Sequence, residues 1–247
     1  LFSAEAITFL VISLVFLKVI HEFAHAFTLK FYQAKVPSMG ITFIFCFPLL
    51  FTDANANWEL TKRQRLNVNI AGMIAEIHIG MLAFFIWTIV DPSALSDIAF
   101  SLFVASFVTS ILINATPFLK FDGYFLLSDW LDFENLHERS ANLAKHQIKS
   151  FMLNLSITKP EQLPQKTERN LILFAWLTWT YRLLMFSGIA IAVFILFPIK
   201  FIGLLASTFI LFQLLLLPFL TEILTYLPYL KNSLASNKQA LLSFYKP

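Results

Sequence analysis

Long apolar runs broken by short polar stretches set the pattern of the chain. Five runs approach the twenty or so residues that an α-helix needs to cross hydrocarbon. They are roughly Ala4 to Leu29, Leu66 to Val90, Ile98 to Pro117, Leu171 to Phe197 and Phe201 to Tyr226. Backbone polar groups inside lipid must be satisfied within their own segment, so each run predicts a helix. Pro198-Ile199-Lys200 joins the last two runs in a tight turn, and Pro218 is placed to kink or end the fifth. The opening run lacks a basic flank and a small-residue cleavage site, so it reads as a retained span rather than a cleaved signal.

Two intervals break the pattern. Between the first two runs stand Val36-Pro37, Gly40 and then Ile41 to Pro48, rich in aromatic and β-branched residues. Such a stretch bounded by Gly and Pro predicts a short β-hairpin. Open strand edges are costly in lipid, so an apolar hairpin must pack against the helices or pair with something extended, such as a substrate. The second interval, Asp129 to Arg169, is polar. Leu136 to Leu155 predicts an amphipathic helix along the inner membrane surface, followed by an extended connector at Lys159-Pro160 and Leu163-Pro164. The expected fold is an all-α polytopic membrane protein with about five transmembrane helices and a short membrane-associated β-hairpin. Its expected parts are a three-helix core over 1–130, a cytoplasmic connector over 131–169, and a C-terminal transmembrane hairpin and tail over 170–247.

Composition supports a membrane as the solvent. Of the 247 residues 58% are hydrophobic, 29 are Phe and only 13% are charged. A soluble domain cannot bury that much apolar surface. The net charge of +3 is uninformative, but its placement is not. Five Lys and Arg lie between Lys30 and Arg65, seven between Lys120 and Arg169, and three in the tail at Lys231, Lys238 and Lys246. The opposite connections carry none from Asp91 to Asp97 and one at Lys200. The three basic regions fall on one side, the cytoplasmic one, which puts the N-terminus outside. There is no basic stripe with interleaved aromatics, so nucleic acid is excluded as a partner. The single cysteine, Cys46, excludes an internal disulfide and a Cys-rich zinc site.

Against this background His21-Glu22-Phe23-Ala24-His25 stands out. An HExxH motif on a helix puts two imidazoles on one face to bind zinc, with the glutamate as general base. Ionisable groups rarely sit in an apolar helix without a function. The motif lies near the inner end of the first span, a little beneath the cytoplasmic surface. Catalytic zinc needs a third protein ligand and an open position for water. The candidates are Glu76, His78, Asp53, Asp122 and His137. Topology favours Asp122, because Pro117 ends span three and Gly123 allows a turn that brings a carboxylate to the depth of His25. His137 reads as a surface residue. Glu76 has three readings: a polar contact between helices, a carboxylate that orients a zinc-bound imidazole, or a partner for Lys18. His78 reads as a contact, a proton relay or an added ligand. Arg182 reads as a partner for a buried acid or another protein. Asp53, Asn55 and Asn57 read as loop residues or as the lining of an entrance.

HExxH in the first span, together with Asn114 to Pro117 leading to Asp122-Gly123, resembles the site-2 protease family of intramembrane zinc metalloproteases. Phe121 to Asp129, Phe47-Pro48, Thr52-Asp53, Trp58 and Ala71-Gly72 are similar to a bacterial subgroup of peptide zinc metalloproteases. The resemblance covers about residues 10 to 130. It implies Zn2+ held by His21, His25 and Asp122, with Glu22 as base and Asn114 as a substrate or oxyanion contact. It also implies a site-2-protease-like core, a bacterial inner-membrane location, a peptide or membrane-protein substrate among the lipids, and an export-system adaptor as a candidate partner. One departure stands out: the subgroup has Asn directly before the Pro of the second motif, where this chain has Thr116.

Three functions compete. The first is an intramembrane zinc metalloendopeptidase. The second is a non-proteolytic zinc-binding membrane subunit of a peptide export complex. The third, a transporter, is disfavoured because the acids and histidines gather at one depth instead of lining a path.

Overall fold

A computed structural model of the protein describes residues 4–44, 47–153, 159–217 and 220. Cys46, Pro218, the last two residues of the expected amphipathic helix, the end of the fifth run and the three tail lysines lie outside the described residues. Among the described residues four helices are long and apolar enough to cross a membrane, and the chain is a mostly helical membrane protein. They are α1 (Ala4–Phe31), α2 (Lys62–Ile89), α3 (Ala94–Phe107) with its continuation to Asn114, and α6 (Gln165–Leu196). Between them lie α4 (Asp122–Leu131) and α5 (Leu136–Leu153). The described part of the fifth apolar run is helical, as α7 (Lys200–Leu211) followed by a π-turn over Phe212–Leu216, and the end of that run lies outside the described residues.

The chain divides into two compact units, Leu1–Ile172 and Leu173–Pro247. In the first, α1, α2 and α3 pack against one another, and α4 packs on α2. The reason is visible in the sequence of each helix. The buried positions of α1 include Ser13, Leu17, His21, His25 and Leu29, a stripe at four-residue spacing. On α2 they include Asn69, Gly72, Met73, Glu76, Gly80 and Ala83. Residues three and four apart share a helix face, so small and polar groups face inward in this bundle. Large apolar side chains point the other way: Ile12, Val15, Phe27, Phe31, Leu82 and Phe85 are all exposed, as a lipid-facing surface requires.

Local chemistry sets the helix ends. The Thr61 backbone N–H donates to Gln64 Oε1 at 3.0 Å, capping α2. The Ser93 hydroxyl accepts from the Ser96 N–H at the start of α3. Gln33 just beyond α1 and Asp132 just beyond α4 take left-handed backbone angles, with φ of 60° and 51°.

The hairpin is present as β1 (Met39–Ile44) and β2 (Phe47–Thr52), antiparallel, with Met39 opposite Thr52 and Ile44 opposite Phe47. Strand β2 lies against α1, and the Thr52 hydroxyl donates to the Glu22 carbonyl at 3.0 Å. The hairpin is thus tied to the helix at the metal motif itself. Ile41 and Phe43 on β1 are exposed, and β1 has no second strand neighbour among the described residues.

In the second unit, α7 buries the small residues Gly203 and Ser207, four apart, and exposes Phe201, Leu204, Leu205 and Phe209.

Candidate metal centre

Because α1 runs unbroken through the motif, His21 and His25 stand one above the other on its buried face. Their ring centroids are 4.7 Å apart, with the planes crossed at 75°. The two Nε2 atoms are 3.1 Å apart. Asp122, the first residue of α4, brings Oδ2 to 2.8 Å from His21 Nε2 and 3.5 Å from His25 Nε2. Among the described residues, His21, His25 and Asp122 form the only group of three arranged to hold a metal ion.

The protons show what those three atoms need. His25 Nδ1 lies 2.8 Å from the Val68 carbonyl oxygen. A carbonyl can only accept, so Nδ1 carries the proton and the neutral ring leaves a lone pair on Nε2. His21 Nδ1 lies 3.0 Å from Glu76 Oε1. A carboxylate also accepts, so the same tautomer follows for His21. Asp122 Oδ2 is buried with no hydrogen-bond partner. Three lone-pair atoms therefore converge with no proton between them, an arrangement that a cation relieves. The edges of their triangle are 2.8, 3.1 and 3.5 Å. A tetrahedron of zinc–ligand bonds of about 2.0–2.1 Å has edges of about 3.3 Å. The donor set, tautomers and spacing all fit zinc.

The surroundings are built to fit. Gly72 on α2 faces the His21 ring, where a Cβ would fall 2.5 Å from Cε1. Gly123 performs a related task, and here the sequence reading is corrected. Its φ is not positive, so it makes no special turn. A Cβ on Gly123 would instead lie 2.4 Å from the Ala115 carbonyl oxygen. Gly123 thus lets the start of α4 close on the end of span three, which carries Asp122 to the histidines.

Helix α4 is fastened to α2 at its far end. Arg65 Nε donates to Asp129 Oδ1 at 2.8 Å, and Asn69 Nδ2 donates to Asp129 Oδ2 at 2.6 Å. Asn57 in turn donates to Asn69 Oδ1 at 3.1 Å. Lys62 lies 2.8 Å from Asp132, and this hydrogen bond holds the Asp132 carboxyl below its ordinary range.

The remaining candidates take different places. Glu22 is buried, and Lys18 Nζ lies 2.5 Å from its Oε1. Lys18 therefore pairs with Glu22, four residues along its own helix, and not with Glu76. Helix geometry explains this, because residues four apart share a face. Glu76 is instead the buried acceptor behind His21. Asn114 is buried, with its amide nitrogen 3.5 Å from His21 Nδ1. It thus approaches the ring on the side away from the three converging atoms. Thr116 is also buried. His137 joins a different contact: its ring stacks on Tyr124 at 4.2 Å, and Nε2 donates to the Pro117 carbonyl at 3.1 Å. His78 is exposed and bonds the Ile74 carbonyl at 2.7 Å. Neither it nor Asp53 belongs to the three-residue group.

Sequence reasoning passed over Asn69, Thr109 and Ser110, and it named Gly72 and Asp129 only as points of resemblance, with no role. A signal existed for part of this set. Gly72, Glu76 and Gly80 recur at four-residue spacing, which places the carboxylate on a face of small residues turned toward another helix rather than lipid.

The chain is 26% identical over 131 residues to YydH of Bacillus subtilis (strain 168), which is named provisionally as a peptide zinc metalloprotease protein. The match covers 53% of this chain and 49% of that protein, so the chain spans about half the length of its curated relative. No protein-family profile matches the chain, and no solved structure matches it.

Proposed function

We propose that this protein is an intramembrane zinc metalloendopeptidase of the site-2 protease type, which hydrolyses a peptide bond in a membrane-embedded or exported peptide. The observation that carries the reading is the convergence of His21 Nε2, His25 Nε2 and Asp122 Oδ2 beside a buried glutamate. The similarity to a peptide zinc metalloprotease protein supports it.

His21, His25 and Asp122 would hold zinc, which supplies a Lewis acid that acidifies water and polarises the scissile carbonyl. Glu22 takes the proton from the attacking water and delivers it to the leaving amine nitrogen. Lys18 keeps the Glu22 carboxylate in place between turnovers. The substrate must arrive extended, because a helix hides its carbonyls. The open edge of β1 offers such a segment backbone partners, and the Thr52–Glu22 contact holds the hairpin beside the motif. Asn114 lies beside the His21 ring, and its proposed role as a substrate or oxyanion contact rests on the resemblance.

The distribution of basic loops favours a site near the cytoplasmic face with the N-terminus outside, and the resemblance favours a bacterial inner membrane, with lipid around the bundle. An export-system adaptor is the proposed protein partner. The second reading, a non-proteolytic zinc-binding subunit of an export complex, is favoured by Thr116, which stands where the similar subgroup has Asn.

Glu22→Gln separates the two. A proteinase loses cleavage of a co-expressed membrane substrate while the purified variant keeps its zinc. Undiminished cleavage in that variant would sink the mechanism, and absence of cleavage in both proteins would favour the subunit.

A further inference from the structure

The hydrolytic reading leaves one buried acid unused. Glu76 is 1% exposed, in the middle of a membrane-spanning helix. An anion at that depth is expensive unless it is paired and fully hydrogen-bonded. Its partners come from two other helices. Oε1 faces His21 Nδ1 of α1 at 3.0 Å. Oε2 accepts from the Ser110 hydroxyl at 2.5 Å and lies 3.0 Å from Thr109 Oγ1. Even its backbone carbonyl accepts from the Ser106 hydroxyl at 2.6 Å.

The local backbone is shaped for this contact. Val108–Asn114 is a π-turn, a wide turn often found at functional sites. It presents Thr109 and Ser110 to Glu76, and Asn114 to the His21 ring. Hydroxyls on one helix thus fix a carboxylate on a second, which in turn fixes a metal-binding imidazole on the third.

We propose that Glu76 is a positioning residue that supplies the second negative charge of the metal centre, held for that purpose by Ser110 and Thr109. The inference rests on the reading of His21, His25 and Asp122 as zinc ligands. Charge counting carries it. A dication with two neutral imidazoles and one carboxylate leaves one positive charge uncompensated in apolar surroundings. Glu76 cancels it through the Nδ1–H of His21, and by fixing that proton it aims the Nε2 lone pair at the ion. Lys18 cannot offset Glu76, because it is engaged with Glu22.

The test uses the full chain in detergent micelles, with zinc affinity measured by competition against a chromogenic chelator. Glu76→Gln keeps the shape and an acceptor for Nδ1–H but removes the charge. We expect zinc to bind about 10–100-fold more weakly. The thermal midpoint of the metal-free variant should stay level or rise, because no uncompensated anion remains buried. The visible spectrum of the Co2+-loaded protein should also change, since it reports the field at the ligands. Equal zinc affinity in Glu76→Gln and the unaltered chain would overturn this inference alone. Failure of the unaltered chain to bind zinc would overturn the ligand assignment beneath it. Should Glu76→Gln not fold, Ser110→Ala decides the matter: it keeps the charge but frees the carboxylate. A several-fold loss of affinity is expected, and an unchanged affinity would count against the proposal.

Discussion

Arg65 on α2 and Asp129 on α4 meet at 2.8 Å, with side chains only 18% and 13% exposed. Asp129 stands seven residues, about two turns, beyond Asp122 on the same short helix. The pair therefore anchors the helix whose first residue faces the two histidines. Asp129→Asn tests that anchor. An asparagine can accept from Arg65 with its oxygen, but its NH2 then meets the NH2 of Asn69, two donors with no acceptor between them. The expected cost is about 1–3 kcal/mol of unfolding free energy. Zinc affinity should fall with it, because Asp122 loses its fixed approach. Chemical denaturation and chelator competition in micelles would measure both, and loss of stability with unchanged zinc affinity would show that Asp122 is held independently.

Lys18 and Glu22 give a second expectation. Their side chains are 39% and 10% exposed, so the pair is screened on one side only. A double-mutant cycle with Lys18→Met and Glu22→Gln should return a coupling of about 0.5–1 kcal/mol, the scale of a partly exposed pair. Both variants should keep zinc, since neither residue belongs to the ligand set. A coupling near zero would show that Lys18 is free to face lipid or substrate.

The helices and the metal motif were legible because they depend on local pattern. An apolar run of twenty residues has few options in lipid, and HExxH owes its geometry to a four-residue spacing. Asp122 could be expected near His25 from Pro117 and the basic loops, and the side chains of His21, His25 and Asp122 do come together. The partners of Glu76 and Lys18 could not be expected in this way, because they depend on which face each helix turns to the next. The stretch after Phe107 reads as ordinary helix in the sequence, yet it widens into a π-turn whose hydroxyls meet Glu76. Gly123 reads as a turn residue, but it is used for close approach. Both differences arise from contacts between helices, which hydropathy does not encode.

Outside the spans, Arg139 grips Glu161 with Nε and a terminal nitrogen, at 2.9 and 2.7 Å. The hydrogen bond from Arg139 holds the Glu161 carboxyl below its ordinary value near 4.5. Because the folded value is the lower one, the pair's contribution is fully present above the unfolded value. It is lost as pH falls through the folded value. Both side chains are 31% exposed, so the contribution should stay below about 1 kcal/mol. Thermal midpoints of the unaltered chain and Glu161→Gln, measured from pH 7 down to pH 3, should converge on the acid side. A constant gap across that range would show that Glu161 contributes through packing and not through its charge.

Gly72 offers the sharpest steric test of the metal centre. A Cβ there would lie 2.5 Å from His21 Cε1 and 2.6 Å from both ring nitrogens. The ring cannot swing aside cheaply, because Nδ1 is held by Glu76 and Nε2 faces Asp122. Gly72→Ala should therefore displace His21 and weaken zinc binding by about tenfold or more. The helix itself gains from the change, since Ala is the better helix former by about 1 kcal/mol. The metal-free protein should still lose stability to the clash, offset in part by that propensity gain, and the loaded one should lose its stabilisation by zinc in addition. Gly188→Ala on α6 is the control: nothing lies within 4 Å of the added carbon, so the same propensity gain should appear with zinc affinity unchanged. Thermal midpoints with and without zinc, read for both variants, check the pair. If Gly72→Ala binds zinc as tightly as Gly188→Ala does, the His21 ring is not confined between α1 and α2.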